Sequence, residues 1–323
     1  MALIDCAPME GLTVYSFRRN HSSLYNGVDR YFTPFLTANQ NLHFQKKEIR
    51  EILPENNEGI CLIPQVMTNK ADQMLWAMEE IASYGYREIN LNLGCPYPTV
   101  VTRHKGAGFL EDGWVMDAFF DAVFEGLERI NANRPTDPLK LSVKTRIGIR
   151  DPEEMDGILE IYNRYPICEL IIHPRLQKQM YQGTPYMDVF ARAAAAAKMP
   201  VSYNGDIRTA EDARKLLEQF PDLHAIMIGR GLMSDPALGE RICGQEVPAA
   251  GSLEDLERLR EYMERQYFGY KEYVMRDKEV ISHIKELWFH VGRRFPEKER
   301  EVSKICRAKT REDYVQAVAR FFG

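Results

Sequence analysis

The sequence predicts an α/β fold: a TIM (β/α)8 barrel followed by an all-α helical segment at the C-terminal end. Three observations carry this expectation. Eight short apolar runs, rich in Val, Ile and Leu and bounded by Gly, Pro, Asn or Asp, recur through the first part of the chain, as buried parallel strands do. Most are followed by a stretch with helical periodicity, and eight such units in roughly 240 residues match the size of a TIM barrel. After Gln245 only amphipathic helical patterns remain. A doubly wound sheet would usually have fewer strands and a GxGxxG first turn, and neither is visible.

In chain order, the first strand is read in LIDCAPM (3–9) and the second in RYFTPFLT (30–37). The third, CLIPQVM (61–67), precedes a helical pattern that runs to Tyr84, and the fourth, EINLNLGCP (88–96), precedes a helix from about Trp114 to Ile130. The fifth, KLSVKTRIG (140–148), leads into PEEMDGILEIYNRY, where Asp151-Pro152 suits a helix start. The sixth, CELIIHPR (168–175), precedes the alanine-rich MDVFARAAAAAK. The seventh, PVSYNGD (200–206), precedes TAEDARKLLEQF, where Thr209 and Asp212 have the spacing of a capping pair. The eighth, HAIMIGRG (224–231), is expected to lead into a helix from about Asp235. The predicted division is a barrel over residues 1–244 and a helical domain over 245–323.

A chain of 323 residues, 45% of them hydrophobic, is long enough for one large domain with an appendage. The formal net charge of -5 argues against a wholly basic nucleic-acid coat protein but leaves room for a local basic surface. The charge is unevenly spread. Residues 251–323 hold 16 Lys+Arg against 14 Asp+Glu, while the first 250 residues hold 26 against 33. Between Lys285 and Arg311 the balance is 9 to 4, with Trp288, Phe289 and Phe295 interleaved. This reads as an ordinary solvated helix face with core aromatics or, more sharply, as a footprint for a polyanion. The six cysteines are scattered without CxxC or zinc spacing, so free thiols in a reducing compartment are expected. With Asp5 and Glu10 interrupting the first apolar stretch, and no run of membrane-spanning length, the expectation is a cytoplasmic protein without a membrane or metal site.

In such a barrel, chemistry collects at the C-terminal ends of the strands. The residues there are Met9, Gln65, Asn92 and Cys95, Lys144 and Arg146, His173 and Arg175, Asn204 to Asp206, and Gly229 with Arg230. YNGD and IGRG each place a glycine at a strand end, where backbone N–H groups and Arg230 suit a phosphate; either glycine could instead serve only a tight turn. A lysine in LSVKTRIG is costly to bury without an anionic or electron-rich partner, and a flavin edge would supply one. His173 alone reads as a hydrogen-bonded core histidine. Cys95, bracketed by Gly94 and Pro96 before a long loop expected to be flexible, is a candidate acid or nucleophile. His104 in that loop could approach it. The other five cysteines read as small buried hydrophobes.

APM (7–9), Gln65, NLGCP (92–96), KGAGFL (105–110), KTRIG (144–148), His173 with Arg175 and YQG (181–183), NGD and IGRG occur in this order. Together they resemble the flavin-dependent tRNA-dihydrouridine synthases over nearly the whole chain. The N-x-GCP element is the most specific of these motifs, whereas the glycine motifs are common to many FMN barrels. The resemblance implies an FMN-binding barrel with a helical tRNA-binding domain, reduced by NADPH or NADH and acting as a monomer. It implies that a uridine is flipped into the mouth, that hydride reaches C6 and that Cys95 gives a proton to C5. It assigns Ala7, Pro8, Met9, Gln65, Lys144, His173, Asn204, Gly205, Asp206, Gly229 and Arg230 to the cofactor, and Asn92, Arg175 and Tyr181 to the substrate. One departure is Pro174-Arg175-Leu176, where the family usually reads Gly-Arg-Thr; it removes a backbone donor and a hydroxyl.

Two other functions fit parts of the sequence. An FMN barrel oxidoreductase acting on a small-molecule C=C bond, like a dihydroorotate dehydrogenase or an ene-reductase, shares the phosphate site but needs neither Cys95 nor a basic tail. A non-catalytic RNA-binding protein has no use for Cys95, Lys144 and His173 together.

Overall fold

One strand of the barrel is broken by a proline, and the break closes the ring. The computed structural model describes residues 2–38, 40–274 and 276–323. Its strands are β1 (Leu3–Cys6), β2 (Arg30–Phe32), β3 (Leu62–Ile63), β4 (Gln65–Val66), β5 (Glu88–Leu93), β6 (Lys140–Arg146), β7 (Leu170–His173), β8 (Val201–Asn204) and β9 (Ala225–Ile228). All pair in parallel, in the order β3-β2-β1-β9-β8-β7-β6-β5-β4. The two ends of this sheet, β3 and β4, are the halves of one predicted strand. Pro64 lacks the N–H that a central strand must donate, so the run divides there: Leu62 pairs with Tyr31 and Gln65 with Asn90. The nine strands are therefore the eight expected ones, and the barrel closes through Pro64. A bridge from Leu36 to Val66 extends the second strand along the seam.

The helices around the ring are α1 (Tyr15–Leu24), α2 (Lys46–Ile52), α3 (Ala71–Ser83), α4 (Pro98–Val101), α5 (Gly113–Ala132), α6 (Glu154–Tyr162), α7 (Met187–Ala196) and α8 (Ala210–Gln219). Asp112 caps α5 by accepting from the N–H groups of Trp114 and Val115 at 3.0 and 3.1 Å. Thr209 and Asp212 form the expected capping box on α8. Asp151 accepts from the Glu153 N–H at 3.0 Å just ahead of α6.

The eighth unit differs from expectation. Its helix is α9 (Arg230–Ser234), which starts directly at the strand end, followed by α10 (Leu238–Ile242). Pro236 bars Asp235 from helical geometry, and Asp235 has φ -127° and ψ 98°, so Asp235 divides two helices rather than beginning one. The loop after Cys95 also differs: it carries α4 and a 3-10 helix over Gly106–Glu111 whose first five residues are buried, and is not a flexible strand exit.

Beyond residue 245 the chain forms α11 (Leu253–Val274), α12 (Asp277–Val291), α13 (Glu299–Arg307) and α14 (Arg311–Phe322). Tyr262 on α11 packs edge-on against Phe17 and Tyr25 near α1, at 6.4 and 5.3 Å between ring centroids. The apolar core runs without interruption from the barrel strands to Leu259, Ile284 and Trp288.

Inside the ring the side chains form layers. At the N-terminal end, Arg30 makes bidentate contacts of 2.7–2.8 Å with both Asp5 and Glu169. Above them Ala7, Phe32, Ile63, Ile171 and Met227 form a separate apolar plug. What remains at the C-terminal end is polar, and it faces the mouth.

Candidate active site

Strand side chains alternate in and out of a barrel, so the inward Asp5, Ser142 and Glu169 fix the parity of their strands. Continued upward, that parity gives Ala7 and Met9 on the first strand, Lys144 and Arg146 on the fifth, and His173 and Arg175 on the sixth. The structure brings these together with Gln65, Asn92, Cys95, Asn204, Asp206, Gly229 and Arg230 around the mouth.

Cys95 is held by a fixed turn. The Asn92 carboxamide oxygen accepts from the N–H groups of Gly94 and Cys95 at 3.0 and 2.9 Å, which folds the strand exit back on itself. The Asn92 amide donates to Gln65 at 2.7 Å; Gln65 donates to Asn90 at 2.8 Å, and Asn90 to Ser142 at 3.0 Å. Asn92, expected at the substrate, thus has its oxygen engaged in positioning Cys95 and its amide nitrogen bonded to Gln65. The Ala107 N–H donates to the Cys95 carbonyl at 3.0 Å. Gly106 permits that approach: its φ is +54°, and a Cβ there would stand 2.7 Å from the Cys95 carbonyl oxygen. The Cys95 side chain is half-buried. Burial raises its pKa above the ordinary thiol value, against smaller opposing effects of Lys144 and Arg146, so it stays protonated. His104 does not approach it; its side chain is 71% exposed and faces Glu111 at 3.8 Å.

Across the mouth the charge is cationic. Lys144, half-buried and paired in register with Asn92, is pushed down to about 7 by desolvation and then by Arg146. No carboxylate counters it among the described residues. His173 is buried, and burial followed by Arg146, Lys144, Arg175 and Arg230 drives it well below 6.5, which keeps it neutral. Arg230 pairs with Asp206. Burial opposes ionisation of Asp206, but Arg175 and Arg230 hold its carboxyl below the ordinary range.

Arg175, expected at the substrate, is 1% exposed. It donates to the Gln182 and Gly183 carbonyls at 3.2 and 2.7 Å and to Asp206 at 2.5 Å, and so ties down the loop after β7. The neighbouring departures serve the same loop: the Pro174 carbonyl accepts from Tyr186 at 2.7 Å, and the Leu176 carbonyl from Arg146 at 2.9 Å. Tyr181, 43% exposed, lies over the mouth with Arg146 and Arg230 at 5.4 and 5.5 Å from its ring centroid.

Asn204 donates to the Met227 carbonyl at 2.8 Å. A Cβ at Gly205 would fall 2.0 Å from the Tyr203 hydroxyl, so this glycine makes room for a ring. At Gly229 a Cβ would lie 3.4 Å from the Ala7 methyl and 3.5 Å from the Met9 sulfur, which brings those three residues to one wall of the mouth. Pro8 falls on the other strand parity, between Ala7 and Met9. Among the described residues no group of His, Cys, Asp and Glu could hold a metal, and no helix is long and apolar enough to cross a membrane. Cys61 and Cys243 are exposed, contrary to the expectation of buried thiols.

Three residues of the site were given no role from sequence, although Arg146 was placed at the strand ends there. Arg146, 1% exposed, bridges the Gly94 and Leu176 carbonyls at 2.9 Å each; its parity with Lys144 was the available signal. Tyr97 is 51% exposed just beyond Cys95. His290 on α12 is buried and lies within the field of Arg230, a meeting across 60 residues that no local pattern announces.

A family model described as dihydrouridine synthase matches residues 5–319. The chain is similar to tRNA-dihydrouridine synthase B of Pasteurella multocida, 28% identical over 236 residues that span 73% of this chain and 67% of that protein. It is also similar to the tRNA-dihydrouridine(16) synthase of Neisseria meningitidis, 27% identical over 244 residues, 74% and 70% of the two chains. Among solved structures, histamine dehydrogenase from Rhizobium sp. 4-9 aligns with TM-score 0.57 over 81% of this chain and 48% of that one. Morphinone reductase aligns with TM-score 0.52 over 78% and 88%. Both are 10% identical and bear on the fold alone. The chain belongs to the dihydrouridine synthase family, a family of flavin-dependent oxidoreductases.

Proposed function

We propose that this member of the dihydrouridine synthase family reduces uridines in tRNA to 5,6-dihydrouridine. FMN would sit at the barrel mouth, NADPH or NADH would be the reductant, and the protein would act as a cytoplasmic monomer. The donor set fits an anionic flavin. Lys144, Arg146, Arg175 and Arg230 surround a site where Asp206 pairs with Arg175 and Arg230, and among the described residues Lys144 has no anionic partner. Ala7, Met9 and Gly229 supply an apolar wall for a ring, Gln65 and Lys144 hydrogen bonds at its edge, and His173, Gly205 and Arg230 donors for a phosphate. Bound there, a reduced flavin supplies hydride to C6 of the uracil.

The protein's own part is to position the base and deliver a proton. A uridine in a stacked helix cannot present its C5=C6 bond, so it enters the mouth flipped out. Cys95 donates a proton to C5 as general acid. The single observation that carries this role is that Cys95 is fixed by Asn92 and Gly106 at the mouth while burial keeps its thiol protonated. A donor needs no neighbouring base. The helical segment 245–323, with its basic balance, is assigned as the tRNA-binding domain.

The test is dihydrouridine mapping at single-nucleotide resolution on tRNA from cells with and without the gene, with rescue by wild type and by Cys95→Ala. One or a few positions should lose the modification and regain it only with wild type. If no position changes while the purified protein carries FMN, the substrate is a small molecule.

A further inference from the structure

Two exposed aromatic rings flank the mouth on opposite sides. Tyr97 follows the fourth barrel strand and is 51% exposed; Phe289 on α12 is 55% exposed. Neither is loosely placed. Tyr97 leaves the turn fixed by Asn92 and is followed by Pro98 at the start of α4. Its preceding residue, Pro96, accepts at its carbonyl from Gln177 in the loop after β7 at 3.0 Å. Phe289 carries the Arg293 guanidinium 4.7 Å from its ring centroid, a pairing that leaves one face of the ring for another flat group.

Tyr97 acts electrostatically on Tyr181, whose ring centroid is 5.5 Å from the Arg230 guanidinium. Arg230 begins α9, and α12 packs against α9. Midway along α12, His283 faces the loop after β1, where a Cβ on Gly11 would stand 3.5 Å from its ring. The segment Lys285–Arg311 carries 9 Lys+Arg against 4 Asp+Glu. Aromatic faces spaced along a cationic path are how proteins hold unstacked nucleotides without reading their identity.

We propose that Tyr97 and the Phe289–Arg293 pair are two stacking platforms for the unpaired nucleotides of an RNA, one on each side of the nucleotide that enters the mouth. The inference rests on RNA being the substrate. It makes the substrate a strand locally opened over several nucleotides, with the mouth gripping the neighbours as well as the target.

The test uses the full-length, FMN-loaded protein and an unmodified tRNA transcript, with binding read by fluorescence anisotropy. Tyr97→Ala and Phe289→Ala should each weaken binding roughly 10- to 100-fold, while Tyr97→Trp and Phe289→Trp bind within about threefold of wild type. Flavin content and melting temperature establish that each variant is folded. Alanine variants that bind like wild type, or tryptophan variants as weak as alanine, overturn the platforms and leave the RNA reading standing. A wild-type protein that does not bind the transcript overturns both.

Discussion

Cys95 and Lys144 stand on neighbouring strands at the mouth, and burial acts on them in opposite directions. It raises the thiol and lowers the ammonium, in each case favouring the neutral form. For Lys144, pushed down to about 7 by burial, the electron-rich ring edge of the flavin should accept from the ammonium and restore the charge. FMN binding by the apoprotein then takes up a proton, so affinity is fully developed below pH 7 and falls as pH rises through it, by about tenfold between pH 6 and pH 8. Lys144→Met should remove this slope, which flavin fluorescence titrations at several pH values measure directly. Lys144 and His173 were legible in the sequence because an ionisable residue inside an apolar strand is conspicuous. Arg175 was equally visible, but its role was not. Whether its donors meet a substrate or the Gln182 and Gly183 carbonyls depends on a loop path that strand periodicity does not encode.

At the scale of elements, the loop after β5 shows how backbone conformation places a reagent. Gly106 combines a left-handed φ with a close approach to the Cys95 carbonyl and the Val100 side chain, so a side chain there costs on both counts. Gly106→Ala should destabilise the protein by about 2–4 kcal/mol and impair dihydrouridine formation. Gly157→Ala on α6, where nothing lies within 4 Å of the added methyl, should stabilise it by about 0.5–1 kcal/mol. Denaturant unfolding of the two variants gives both signs. KGAG reads as a loop from its glycines, yet its folding into a buried 3-10 helix depends on Cys95 and Val101, which the local sequence does not place. The split at Pro64 and the helix break before Pro236 both follow from proline's missing donor and its effect on the preceding residue, and each was readable in principle.

At the scale of the whole molecule, barrel and helical segment share one core, and His21 lies where they meet. Its ring nitrogens bond the Tyr31 hydroxyl at 2.7 Å and the Pro236 carbonyl at 3.0 Å, with Tyr262 of α11 edge-on to it. Desolvation lowers its pKa from 6.5 to about 4, with Glu240 and Arg258 exerting smaller, opposed effects. A folded value below the unfolded one means that protonation favours unfolding, so the stability due to neutral His21 is complete above pH 6.5 and lost as pH falls toward 4. Between pH 7 and pH 5 this amounts to about 2 kcal/mol. His21→Gln should be less stable at pH 7 yet lose less on acidification, as urea unfolding at the two pH values would record. The eight-unit rhythm and the change to pure helix after Gln245 were plain from periodicity. The seam between the two parts was not, because Phe17, Tyr25 and Tyr262 meet across more than 200 residues of chain.

The central claim is that Cys95 hands a proton to a uracil held at the barrel mouth. Its most direct test mixes the pre-reduced, FMN-loaded protein with unmodified tRNA without oxygen and follows flavin oxidation and dihydrouridine together in a single turnover. The wild type should oxidise its flavin in step with product. Cys95→Ala should bind the tRNA but react at least about 100-fold more slowly. A Cys95→Ala protein that forms dihydrouridine at the wild-type rate would contradict the account.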